Sequence, residues 1–74
     1  MDVYELLTKS LEDAELDIYN GTDVENVDSA RRKALADIHG AQVAEMFSET
    51  EAENWKKRIE KVTAFRRASL EWRE

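Results

Sequence analysis

Cysteine and proline are missing from this chain, and glycine occurs only twice in 74 residues. Without cysteine there is no disulfide scaffold and no thiolate zinc site. So few turn-forming residues exclude an all-β fold, whose short strands need a turn about every ten positions. Histidine occurs once, as His39, which leaves little for metal ligation or general-base chemistry. Apolar runs are short, Leu6-Leu7 and Met46-Phe47 among them. None nears the roughly 20 apolar residues of a membrane-spanning helix. No stretch has the composition of a signal peptide. The expected location is the cytoplasm, which the lack of cysteine fits.

What the chain has in quantity is charge. Charged residues make up 38% and apolar residues 42%, with 17 acids against 11 bases and a net charge of −6. At 8.6 kDa, residues 1–74 amount to one small domain.

Apolar spacing predicts three helices, over about residues 2–19, 23–47 and 50–73. In the first, Tyr4, Leu7, Leu11, Ala14 and Ile18 recur every three or four residues, and Val3 and Leu6 widen the stripe. Asn20-Gly21 is its stop, since both residues tolerate the left-handed conformation of a C-terminal cap. Asn20-Gly21-Thr22 also matches a glycosylation sequon, but a turn is the plainer reading. Thr22, with Glu25 three residues on, makes a capping box for the second helix. There Val27, Ala34, Ile38 and Ala41 form one apolar row, and Leu35, His39, Val43 and Met46 a second. A helix with two apolar rows has two neighbours to face. Gly40 is either a close-packing point or a break. Ser48 and Glu51 make a second capping box, with Thr50 and Glu53 as an alternative two residues later. The last helix carries Ala52, Trp55, Ile59, Val62, Phe65, Ser69 and Trp72. The predicted fold class is all-α: a small three-helix bundle, or a long helical hairpin with a short third piece.

A core this small supplies only about 3–5 kcal/mol. A last helix of about 22 residues is ~33 Å long, which outreaches the first. Phe65, Leu70 and Trp72 are therefore expected to lack cover within one chain, and a homodimer is the expected remedy. Charge is also segregated. Residues 1–29 sum to −8, residues 30–54 to −2, and residues 55–74, with Arg73 included, to +4. The acidic first helix is expected to lie against the basic last one, within the chain or across a dimer. Such pairing sets orientation and partner choice more than it adds stability.

Catalytic chemistry has little to work with. His39 sits on the Leu35 row and reads as a partly buried packing residue. No serine occupies a nucleophile elbow. Asp13-x-Glu15-x-Asp17 opens like a calcium loop, but Ile18 and Val24 stand where that loop needs Gly and Glu. No catalytic residue, cofactor or metal site is expected. The chain reads instead as a non-enzymatic protein–protein interaction module, a small regulator or inhibitor that masks the surface of another protein. Its expected contact residues are Trp55, Lys56, Arg58, Ile59, Val62, Phe65, Arg66 and Trp72, because Trp and Arg are enriched at binding hot spots, although core packing is the plainer reading for Trp55 and Phe65. The acidic first helix is the other candidate face, as a competitor of nucleic acid for a basic cleft. No membrane partner is expected.

The alternative function is a helix-turn-helix DNA-binding regulator using residues 42–59. Ala44 fits the tight-packing position of the first helix, and Trp55-Lys56-Lys57-Arg58 gives a basic follow-on. Against it, Ser48 stands where the turn usually has glycine. Glu49, Glu51 and Glu53 crowd the start of the would-be recognition helix, and a net charge of −6 opposes phosphate binding.

Overall fold

In a computed structural model, which describes residues 2–72, the chain forms three helices: α1 (Val3–Tyr19), α2 (Val24–Val43) and α3 (Glu49–Glu71). No strand occurs among the described residues. The fold is an all-α three-helix bundle, and the hairpin alternative falls away because all three helices are long. The predicted end of the last helix at Arg73 lies outside the described residues, as do Met1 and Glu74.

Each helix starts on a side-chain cap. The Asp2 carboxylate accepts from the Glu5 N–H at 2.8 Å, and Asp23 accepts from the Asn26 N–H at 2.8 Å. The Ser48 hydroxyl accepts from the Glu51 N–H at 3.1 Å, and the Glu51 carboxylate accepts from the Ser48 N–H at 3.3 Å. The second capping box is therefore formed, and it starts α3 one residue earlier than predicted. The first box is not formed: Asp23, not Thr22, caps α2. A carboxylate accepts from an N–H as a hydroxyl does and also meets the positive end of the helix dipole. Thr22 instead accepts from the Asn26 side-chain amide at 3.2 Å.

Two other boundaries differ from the sequence reading. The second helix ends at Val43 rather than Phe47. Met46 N–H donates to the Ala41 carbonyl at 2.9 Å and Glu45 N–H to the Gln42 carbonyl at 3.1 Å. This pair of bonds is a Schellman closure. It places Glu45 at φ 60°, the one positive φ among the described residues. The closure turns Phe47 back into the core, where it is 3% exposed and meets Tyr4 edge to face at 5.8 Å. At the other end of α2, Asn20 and Gly21 do stop α1, but neither adopts a left-handed conformation. Gly21 is needed for space instead. A Cβ there would lie 2.5 Å from Val27 Cγ2 and 3.2 Å from the Ile18 carbonyl. Gly40 neither breaks α2 nor packs closely, since nothing lies within 4 Å of where its Cβ would be.

Direction follows from the side-chain ties. Tyr4 donates to Glu51 at 2.6 Å near the starts of α1 and α3, and Tyr19 meets Phe65 near the end of α1. These two helices run parallel. Arg67 near the end of α3 pairs with Asp28 near the start of α2 at 3.5 Å, and Arg31 pairs with Glu60. α2 thus runs antiparallel to both neighbours. The core is Leu11 and Ile18 from α1, Val27, Ala34, Ile38 and Ala41 from α2, Phe47, and Ala52 and Ile59 from α3. Full burial of one Leu or Ile contributes about 1.5–3 kcal/mol, so a few such residues carry the fold. Thr63 is also buried, and its hydroxyl donates to the Ile59 carbonyl at 2.7 Å, which satisfies it. The second predicted row on α2 is only partly covered: Leu35 and Met46 are half-buried, whereas Val43 and His39 are exposed. His39 is not a packing residue, because it lies a further 100° around α2 from Ile38, past the flank that Leu35 closes.

The two glycines should respond in opposite ways to alanine. Gly40→Ala should raise stability by about 1 kcal/mol, the helix-propensity difference alone. Gly21→Ala should lower it by about 1–3 kcal/mol, because buried Val27 must move. Urea unfolding of both variants checks this, and equal signs would contradict the packing described. Glu51 supplies a pH test. Hydrogen bonds from Tyr4 and from the Ser48 backbone hold its carboxyl below the ordinary glutamate value. A depressed folded value adds stability above the ordinary range that is lost as pH falls through the depressed one. The melting-temperature gap between wild type and Glu51→Gln should therefore be full at neutral pH and close on acidification. A gap that stays constant down to about pH 2 would refute the tie.

Candidate functional site

A row of apolar residues stays on one face of a helix only if it keeps the helical period. The predicted row on α3 from Ala52 to Trp72 takes six steps and, at 3.6 residues per turn, falls about 160° short of six full turns. Its near end is therefore in the core and its far end is not. Ala52 and Ile59 are fully buried, and Trp55 and Val62 are half-buried at the edge of the core. Phe65 is 60% exposed and Trp72 82% exposed. The buried line is Ala52, Ile59 and Thr63, with Leu70 packed on its edge. Leu70, expected to be uncovered, is thus partly covered by its own chain.

The eight residues expected to make one contact surface separate accordingly. Trp55, Arg58, Val62, Phe65 and Trp72 lie along the flank of α3 that turns toward α1 and outward. Ile59 is withdrawn from this set: at 0% exposure it is a core residue and touches nothing outside the molecule. Lys56 is half-buried one turn before Glu60, on the flank that meets α2. Arg66 is half-buried, and its Nε donates to the Gly21 carbonyl at 2.8 Å, which ties α3 to the turn between α1 and α2.

The α3 flank has a counterpart on α1. Tyr19 is 51% exposed and stacks on Phe65, with ring centroids 6.1 Å apart and planes 2° from parallel. Leu16, three residues before it, is 58% exposed. Between the two helices runs an open groove of about 460 Å3 lined by Glu15, Tyr19, Arg58, Lys61, Val62 and Phe65. Sequence reasoning missed Leu16, Tyr19, Glu15 and Lys61. Leu16 and Tyr19 fall outside the α1 core stripe, and that was their only signal: two large apolar side chains, one turn apart, on the wrong side for the core.

The electrostatics of the face come from the parallel run of an acidic helix beside a basic one. Arg58 donates from Nη2 and Nε to the Glu15 carboxylate at 2.7 and 3.1 Å, a two-bond clamp. That hydrogen bonding, with the charges of Glu15 and Glu12, raises the guanidinium above its ordinary value. The same guanidinium sits 4.1 Å from the centre of the Trp55 ring, a cation–π contact. Two further ion pairs, Arg31–Glu60 and Arg67–Asp28, join α2 to α3. Of the three pairs among the described residues, one links the acidic helix to the basic one. Glu12 and Lys61 are exposed beside the clamp and take part in none of them.

Residues 42–59 comprise the end of α2, the connection and the first half of α3, and α2 and α3 lie side by side along their length. Among the described residues no group of three or more His, Cys, Asp or Glu is placed to hold a metal ion. No helix among them is long and apolar enough to cross a membrane. The sequence matches no protein-family model, and comparison with curated proteins and with solved structures finds no significant relative.

The division of α3 between core and surface is open to direct measurement. Ile59→Ala should cost about 2–5 kcal/mol, enough to unfold much of a bundle this small. Phe65→Ala should cost about 1 kcal/mol or less, since it loses an exposed stacking partner and little burial. Chemical denaturation of the two variants decides, and similar losses would place Phe65 in the core.

Proposed function

We propose that the protein is a non-enzymatic protein–protein interaction module, a small regulator or inhibitor of the cytoplasm that acts by covering a surface of its partner with the α1–α3 face. The observation that carries this reading is contiguity. Tyr19, Val62 and Phe65 come together from two helices around one groove. Scattered exposed apolar side chains are ordinary, but a joined patch with a polar rim is the usual mark of a docking surface. The rim is present in Glu12, Glu15, Arg58 and Lys61. The groups on this face with chemical potential, Glu15 and Arg58, are occupied with each other, which suits recognition better than catalysis. Trp55 under Arg58 adds a half-buried aromatic anchor of the kind that dominates binding energy.

Affinity capture from the native host, with wild type and Phe65→Glu as paired baits, tests the proposal. Wild type should retain a partner protein that Phe65→Glu loses, while circular dichroism shows both baits equally helical. A mobility shift on random DNA completes the test. Tight binding that weakens steeply with salt would overturn the proposal in favour of nucleic-acid recognition. Capture that ignores the change at Phe65 would overturn the assignment of the face.

A further inference from the structure

The α1–α3 face has a symmetry of its own. Its acidic half lies on α1, with Glu12 and Glu15, and its basic half on α3, with Arg58 and Lys61. Its apolar residues are Tyr19 on one side and Val62 and Phe65 on the other, and the Tyr19–Phe65 stack sets the register of the two helices. A surface divided in this way complements a copy of itself under one two-fold axis. If the axis runs along the helices, α1 of one protomer covers α3 of the other, acid meets base twice, and the Tyr19–Phe65 stack of one protomer meets that of the other at the same height. If the axis runs across the helices, α1 covers α1 and α3 covers α3, so like charges face each other. A chain of net charge −6 also repels its copy at long range, which makes local opposition of charge decisive for the arrangement.

We propose that this face docks on a second copy of the chain as a parallel two-fold dimer, α1 of each protomer lying over α3 of its partner. This rests on the reading of the α1–α3 face as an interaction surface and names its occupant. A two-fold interface uses the same patch on both subunits. Each closure brings Glu12 of one protomer to Lys61 of the other, exposed charges beside the clamp that take part in none of the intrachain ion pairs. Closure also covers both Tyr19–Phe65 stacks together.

Sedimentation of the full chain provides the test. Wild type at tens of micromolar should sediment at twice the 8.6 kDa of one chain. Phe65→Glu and, as a second variant, Tyr19→Lys should be helical monomers. Glu12→Lys alone and Lys61→Glu alone should each weaken the dimer about tenfold, since each sets like charges together twice. Mixed in equal amounts, the two variants should recover an affinity within about twofold of wild type, because opposite charges face again in the mixed dimer. A single 8.6 kDa species up to hundreds of micromolar overturns the proposal. So does a dimer that survives Phe65→Glu, or one that neither charge reversal weakens, as the crossed-axis arrangement requires. Failure here is separable from failure of the broader reading. A monomer that still captures a foreign protein through Phe65 keeps the face and changes its occupant.

Discussion

Two short connections force α1 and α3 to run parallel on the same bundle, and the character of the surface follows from that constraint. The Asn20–Asp23 turn and the Ala44–Ser48 closure each reverse the chain, so the first and third helices point the same way. Parallel helices place equivalent heights side by side. Glu15 therefore reaches Arg58 at mid-height, and Tyr19 reaches Phe65 further along, one turn on in α1 and two turns on in α3. Had one connection been long enough to cross over, the two helices would run antiparallel and different residues would meet along their shared face. Gly21 keeps the first turn tight by letting Val27 approach its backbone, and Arg66 holds the same turn from α3. The charged contacts add modest stability, as exposed pairs do. Their larger effect is to hold two helices in register.

Core size explains why the polar ties matter. The buried set contains three alanines, Ala34, Ala41 and Ala52, alongside three large residues from α1 and α2, Leu11, Ile18 and Ile38. Small residues at helix crossings let backbones approach, but they bury little area each. Thr63 occupies a core position with a hydroxyl that must find the Ile59 carbonyl. A bundle built this way stands close to the few kcal/mol that a chain of this size commands. Caps at all three helix starts and the Schellman closure then weigh more than they would in a larger domain.

The helices and the main core row of α2 were legible in sequence because both depend on local periodicity and on cap chemistry. Val27, Ala34, Ile38 and Ala41 keep the helical period, and all four are buried. Ser48 with Glu51 is a local pattern, and the box forms. The errors have physical causes. Asp23 outcompeted Thr22 because charge and the helix dipole act together. Phe47 was read as the last residue of a helix, yet its burial required the chain to leave the helix first. His39 looked internal because it shares a spacing with Leu35, although covering that flank depends on where α3 lies. The candidate face was the least legible part. It is assembled from helices 40 or more positions apart in sequence, as with Tyr19 and Phe65, and no spacing rule within one helix brings them together.

Folding alone does not account for the Tyr19–Phe65 pair. Both rings remain about half or more exposed, and a stacked pair adds about 0.5–1.5 kcal/mol beyond its area burial. Polar side chains at those two positions would give up little of the core. The other exposed apolar residues differ in kind. Val3, Tyr4, Leu6, Leu16, Val43 and Trp72 do not line the α1–α3 groove. The cluster around Phe65 is joined across two helices, rimmed by both signs of charge, and bridged by the Glu15–Arg58 clamp. The apolar content of the face is thus in excess of what the fold requires, and an excess that is contiguous, charge-ordered and held in register has the properties of a surface built to be covered.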